Sequence, residues 1–105
     1  MQPVPQMTVD TLKARLNNGE AIQLIDVREH EEVAHGIIPG AKHIPMNDIP
    51  NRIDEIDPNA ETIFICRSGY RSERVCEYLQ QVGIDCGINL EGGMLAWTEI
   101  EGPIA

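Results

Sequence analysis

Residues 61–66, Glu-Thr-Ile-Phe-Ile-Cys, run from Thr62 onward without a charged side chain or an apolar-polar alternation, and this constrains the fold more than any other stretch. A strand with one wet face alternates apolar and polar side chains, whereas a strand covered on both faces does not. The run leads through a Gly-containing loop into a segment from Ser72 to Val82. There Val75, Cys76, Leu79 and Val82 recur at helical spacing and Gly83 closes the end. Upstream, Ile22 to Val27 reads as another buried strand, leading out at Asp26 and Arg28. Further elements are expected around these two. Thr8 is placed to cap a helix over about residues 9–17, ended by Asn17-Asn18-Gly19. Residues 29–36 read as a short polar helix closed by Gly36, and residues 42–44 as a short strand stopped by Pro45. Residues 47–55 read as a helix, residues 85–93 as a strand with Ile84, Cys86 and Ile88 on one side, and residues 92–100 as a last short helix. Strands and helices alternating at this spacing predict an α/β domain over residues 1–105. Its central parallel sheet would have four to five short strands, flanked by helices on both faces. In such sheets ligands bind beyond the carboxyl ends of the strands, where both Asp26 and Cys66 fall.

Charge narrows the partners. The 105 residues carry a formal net charge of -9, which argues against nucleic acid or an anionic membrane as a partner. No apolar run is long enough for a membrane span and no export signal is evident at Met1–Met7. Cys66, Cys76 and Cys86 are odd in number and sparse. They read as free thiols in a reducing cytoplasm rather than as a disulfide framework. No Cys-x-x-Cys or His-x-x-x-His pair suggests a metal.

Against that acidic background, Arg67, Arg71 and Arg74 crowd around Cys66 in the stretch Cys66-Arg67-Ser68-Gly69-Tyr70-Arg71-Ser72. A strand, a tight loop and a helix start form an anion site, because loop amides and unpaired helix N–H groups converge. Gly69 permits a backbone turn that a side chain would resist. A cysteine at the start of such a loop, beside arginines, is biased toward the thiolate and becomes a nucleophile without a histidine base. The spacing from Cys66 to Arg71 is C-x4-R. Cysteine phosphatases use C-x5-R, with room for a phosphate; a tighter loop suits a smaller group, such as one extra sulfur atom.

Four segments in order carry a resemblance over nearly the whole length. These are "LIDVRE", "HGIIPGAKHIP", "CRSGYRS" and "LEGGMLAW". Together they resemble the single-domain rhodaneses, which are sulfurtransferases. One departure is that Ile37 follows Gly36 where the family usually has His. The resemblance implies a rhodanese-like fold and a ping-pong reaction without metal or organic cofactor. Cys66 would take sulfur from thiosulfate, and the resulting persulfide would be held by loop amides from Arg67 to Ser72. Cyanide, a thiol or a protein acceptor would then remove it. Arg67 and Arg71 would orient the anionic donor.

The remaining residues have plainer readings. Asp26 is expected to bond loop amides beside the site, and Arg28 to be either a charge at its entrance or a surface ion pair. Tyr70 reads as lining the mouth or as a bystander, and Arg74 as a solvated helix residue paired with an acidic neighbour. Glu29, Glu31 and Glu32 read as a solvated helix face, and Cys76 and Cys86 as core. His30, His35 and His43 share no motif and read as surface or packing residues, Gly92-Gly93 as a tight turn, and Trp97 as core. Three functions compete with thiosulfate-type transfer. The first is a protein-to-protein persulfide carrier with little thiosulfate activity. The others are a cysteine phosphatase or arsenate reductase, disfavoured by the short loop, and a binding domain with a dead site, disfavoured by the intact Cys66.

Overall fold

The computed structural model describes residues 2–105. Five short strands form one all-parallel sheet: β1 (Gln6–Met7), β2 (Gln23–Asp26), β3 (Lys42–His43), β4 (Thr62–Ile65) and β5 (Gly87–Leu90), in the order β1-β5-β4-β2-β3. The helices are α1 (Val9–Asn17), α2 (His30–Val33), α3 (Tyr70–Gln81) and α4 (Gly93–Glu99). The expected α/β architecture is present.

β4 lies in the middle of the sheet and is buried along its whole length. Its side chains alternate between two cores. Ile63 and Ile65 join Leu12, Leu24, Leu90 and Trp97 on the face covered by α1 and α4. Phe64 and Cys66 join Val75, Cys76, Leu79 and Ile49 on the face covered by α3. A strand between two apolar layers has no polar face to present, which accounts for its unbroken run. Thr8 caps α1 as expected, its hydroxyl accepting from Thr11 N at 3.2 Å. Trp97 is fully buried, and its indole N–H donates to Pro103 O at 2.9 Å.

Several boundaries differ from the expectation. The helix expected over residues 47–55 is two 3₁₀ turns, Met46–Asn51 and Ile53–Glu55, broken at Arg52 with φ -128° and ψ 24°. Pro50 sits inside the first turn and has no N–H to sustain an α-helical ladder. α3 starts at Tyr70 rather than Ser72, because Gly69 turns the chain at φ 97°. Ile84 and Cys86 precede β5 and are not strand residues. β1 was not anticipated. Its two residues give no periodicity, and the strand exists through long-range bonds from Asn89 N to Pro5 O and from Glu91 N to Met7 O, at 2.8 and 2.9 Å. No described helix is long and apolar enough to cross a membrane.

Candidate active site

Cys66 follows the last residue of β4 and is 1% exposed. The chain then folds back over its own sulfur. Gly69 N donates to Cys66 Sγ at 3.1 Å, and Ser72 Oγ lies 3.3 Å from the same atom. Ser72 comes from the first turn of α3, so both groups depend on the left-handed turn at Gly69. A Cβ there would be strained by φ and would also crowd Gly92 N at 3.3 Å.

α4 holds the loop from outside. Met94 N donates to Cys66 O at 2.9 Å and Leu95 N to Arg67 O at 3.0 Å. The two loop carbonyls are therefore turned away from the sulfur and bonded elsewhere. Gly93, at φ 55°, makes the approach feasible, since a Cβ on it would stand 2.5 Å from Cys66 O. Gly92-Gly93 forms a tight turn as expected, and its consequence lies in the loop it supports.

Burial pushes the Cys66 thiol up. Hydrogen bonds from the loop, the amides of Ser72, Gly69 and Ser68 among them, outweigh it, and the net displacement is downward from the usual thiol range. Cys76 shows the contrast. It is buried without such donors, and burial pushes its thiol up to about 12. Cys76 is core as expected, and Cys86 is half-buried beside Thr62, its Sγ 3.8 Å from Thr62 Oγ1.

The arginines have separate fates. Arg71 forms a two-pronged ion pair with Glu32, Nη1 to Oε1 and Nη2 to Oε2, each at 2.7 Å. This hydrogen-bonded pairing pulls the Glu32 carboxyl down to about 2. The expectation that Glu29, Glu31 and Glu32 form a solvated face fails at Glu32. Arg28 forms a buried ion pair rather than a surface one, and it lines the same depression beside the loop as Arg67. It is 7% exposed, with Nη2 2.8 Å from Asp26 Oδ2 and donating also to Gly36 O at 2.7 Å. Asp26 accepts the Arg28 backbone N–H at 3.0 Å, the kind of loop-amide bond expected of it. Both stand where the chain leaves β2, and there His43 Nε2 meets Arg28 O at 2.6 Å and packs edge-on against His30. Arg67 is exposed and has no ion-pair partner among the described residues. With Glu32, His35 and Leu95 it lines a shallow depression beside the loop. Tyr70 is 67% exposed at the loop tip, with the Arg74 guanidinium carbon 5.7 Å from its ring centroid. Arg74 also has its acidic neighbour, Glu77, at 3.7 Å.

The loop residues Cys66 to Ser72 thus form one site. Asp26 and Arg28 lie beside it as a buried pair. Sequence reasoning missed Glu32 and Asn89. Asn89 is 3% exposed and its Oδ1 lies 2.5 Å from Ser72 Oγ. Its one visible signal is an amide inside the apolar run Gly87-Ile88-Asn89-Leu90. No group of three or more His, Cys, Asp or Glu among the described residues is arranged to hold a metal.

A parallel sheet with a cysteine cradled by amides at the carboxyl end of its middle strand defines a class of α/β proteins with a cysteine loop at the sheet edge. Residues 8–100 match the rhodanese-like domain, and the chain belongs to that family. It is 48% identical over 94 residues to YtwF of Bacillus subtilis, which bears a sulfurtransferase name, covering 90% of each chain. It is 40% identical over 101 residues to a sulfurtransferase of Allochromatium vinosum, covering 96% of this chain and 94% of the relative. Among solved structures, a rhodanese-like domain protein from Staphylococcus aureus has a TM-score of 0.84 at 44% identity, covering 90% of this chain and 91% of the other.

Proposed function

We propose that this protein is a sulfurtransferase that carries sulfur as a Cys66 persulfide. The observation that carries this reading is the loop folded back over Cys66 Sγ, with the Gly69 amide donating at 3.1 Å and Ser72 Oγ 3.3 Å away. The sulfurtransferase names of relatives that match nearly end to end support it.

The Cys66 thiolate attacks the outer sulfur of thiosulfate. A new S–S bond forms to Cys66, the donor's S–S bond breaks, and its electron pair leaves with sulfite. The persulfide anion so formed carries its charge on the terminal sulfur, facing the amides between Arg67 and Ser72. Those donors are fixed before the charge arrives, so little reorganisation is needed. Cyanide or a thiolate then attacks the terminal sulfur, and the Cys66–S bond electrons return to Cys66 as thiolate. Exposed Arg67 supplies charge for the incoming anion. Intact-protein mass after brief incubation with thiosulfate tests the reading. A gain of one sulfur atom, lost on adding cyanide and absent in Cys66→Ser, is expected. No gain on the wild type removes thiosulfate as donor, and no gain from any persulfide donor removes the covalent step.

A second reading, protein-to-protein persulfide relay, is favoured by the pairing of Arg71 with Glu32 and of Arg28 with Asp26. Those pairs leave Arg67 to meet a small dianion, while Tyr70 and Leu95 present apolar surface on the loop and its support. A protein persulfide that loads Cys66 much faster than thiosulfate would select this reading.

A further inference from the structure

A chain of hydrogen bonds runs from the buried sulfur to the surface. Ser72 Oγ lies 3.3 Å from Cys66 Sγ and 2.5 Å from Asn89 Oδ1. Asn89 Nδ2 donates to Gln6 Oε1 at 3.0 Å, and Gln6 Nε2 donates to Glu73 Oε1 at 2.8 Å and to Val4 O at 3.3 Å. The far end fixes the direction of the whole chain. A carboxylate and a backbone carbonyl only accept, so Gln6 must turn its NH₂ toward Glu73 and Val4. Its carbonyl then faces Asn89, which must present NH₂ to Gln6 and its carbonyl to Ser72. A hydroxyl has one proton, and the carbonyl of Asn89 takes it. What Ser72 offers to Cys66 in this arrangement is a lone pair, able to receive S–H from the thiol.

We infer that Asn89 and Gln6 are positioning residues that draw the Ser72 hydroxyl proton away from Cys66. When the sulfur is anionic, Ser72 can donate to it only by leaving the buried Asn89 carbonyl without a donor, which is costly at 3% exposure. The thiolate therefore rests on backbone amides such as that of Gly69 and gets the hydroxyl at a discount. Withholding this donor has a chemical purpose. Thiol nucleophilicity falls as thiol acidity rises, and the best attacking thiol titrates near ambient pH. A sulfur over-stabilised by every neighbour would be fully ionised and sluggish. β1 thereby gains a role in the chemistry, because Gln6 reaches the site from the sheet edge.

The inference takes Cys66 as the reacting sulfur, as the proposed function does, but its test needs no sulfur transfer and so can fail separately. The rate of Cys66 carboxamidomethylation by iodoacetamide is followed against pH, with the modified peptide identified by mass to exclude Cys76 and Cys86. In Asn89→Leu the carbonyl is gone and Ser72 is free to donate. The Cys66 titration midpoint is expected to fall by about one unit, the worth of one hydrogen bond to a charged group. Gln6→Leu, at an exposed position that threatens folding less, lets the Asn89 amide turn over and is expected to shift the midpoint the same way by a smaller amount. Glu73 and Arg71 are retained in both variants, so the charges near the sulfur are constant. Both shifts should vanish in a Ser72→Ala background, where no hydroxyl remains to redirect. Shifts that persist without Ser72, an upward shift, or an unmoved midpoint in Gln6→Leu overturn the inference.

Discussion

Arg71 and Glu32 meet through two parallel N–H···O bonds of 2.7 Å, joining the reactive loop to α2 across 39 residues of sequence. The guanidinium is held in one orientation, and its charge is balanced before any ligand arrives. Arg71 still stands close enough to Cys66 for the two charges to interact. The pair ties the loop to α2, whereas Arg67 stands exposed and unpaired among the described residues.

Arginine substitutions separate those roles. Arg67→Ala should raise KM for thiosulfate by roughly 10- to 100-fold, the loss of one charged hydrogen bond, with a much smaller change for an uncharged donor such as a dialkyl trisulfide. Arg71→Ala should slow both donors alike, because it releases α2 from the loop. Steady-state kinetics with the two donors decides. A donor-selective defect in Arg71→Ala alone would return anion binding to Arg71, where the sequence first suggested it.

Low pH should probe the same ion pair. Glu32 titrates at about 2 in the folded chain, against about 4.3 for an unperturbed glutamate. A depressed folded value stabilises above the unfolded one and loses that contribution as pH falls between them. Wild type should therefore lose Tm more steeply than Glu32→Gln between about pH 4.3 and pH 2. Thermal melts at several pH values check this, and parallel curves would mean the pair adds nothing to stability.

Gly93→Ala tests the support given by α4. The added methyl would stand 2.5 Å from Cys66 O at φ 55°. A non-glycine residue held in that region costs about 1–3 kcal/mol before any clash is counted. Tm should fall by at least about 4 °C in a chain of this size, and sulfur loading should slow as the Cys66 and Arg67 carbonyls lose their donors. Full loading rate with lowered Tm would confine α4 to a structural role.

Cys66→Ser should abolish sulfur loading while keeping the melting temperature within a few degrees. The substitution exchanges one small buried side chain for another within a ring of hydrogen-bond donors. Residual loading in this variant, mapped by peptide mass to Cys76 or Cys86, would move the chemistry elsewhere.

The reactive loop was legible in the sequence because it is local. Cys66, Gly69 and Ser72 lie within seven residues, and a strand-Gly-helix junction leaves their backbone few choices. β4 was legible for a related reason, since burial on both faces writes itself into every side chain from Thr62 to Ile65. The segment over residues 47–55 was misread because Pro50 and the break at Arg52 leave short apolar spacing compatible with either helix type.

Order along the chain and side-chain type thus settle an α/β sheet and the place of the Cys66 loop at its carboxyl edge. They do not settle which partner each polar side chain finds. Glu32 and Arg71 are 39 residues apart, Ser72 and Asn89 17, and Gln6 and Asn89 83. A charge run looks solvated until packing brings one member against an arginine, and an arginine looks free until its carboxylate is found. Hydrogen bonds are short-ranged and directional, so their pairing follows from the registration of β1, β5 and α3 in space. That registration is fixed by the burial of two apolar layers, to which the polar residues themselves contribute almost nothing.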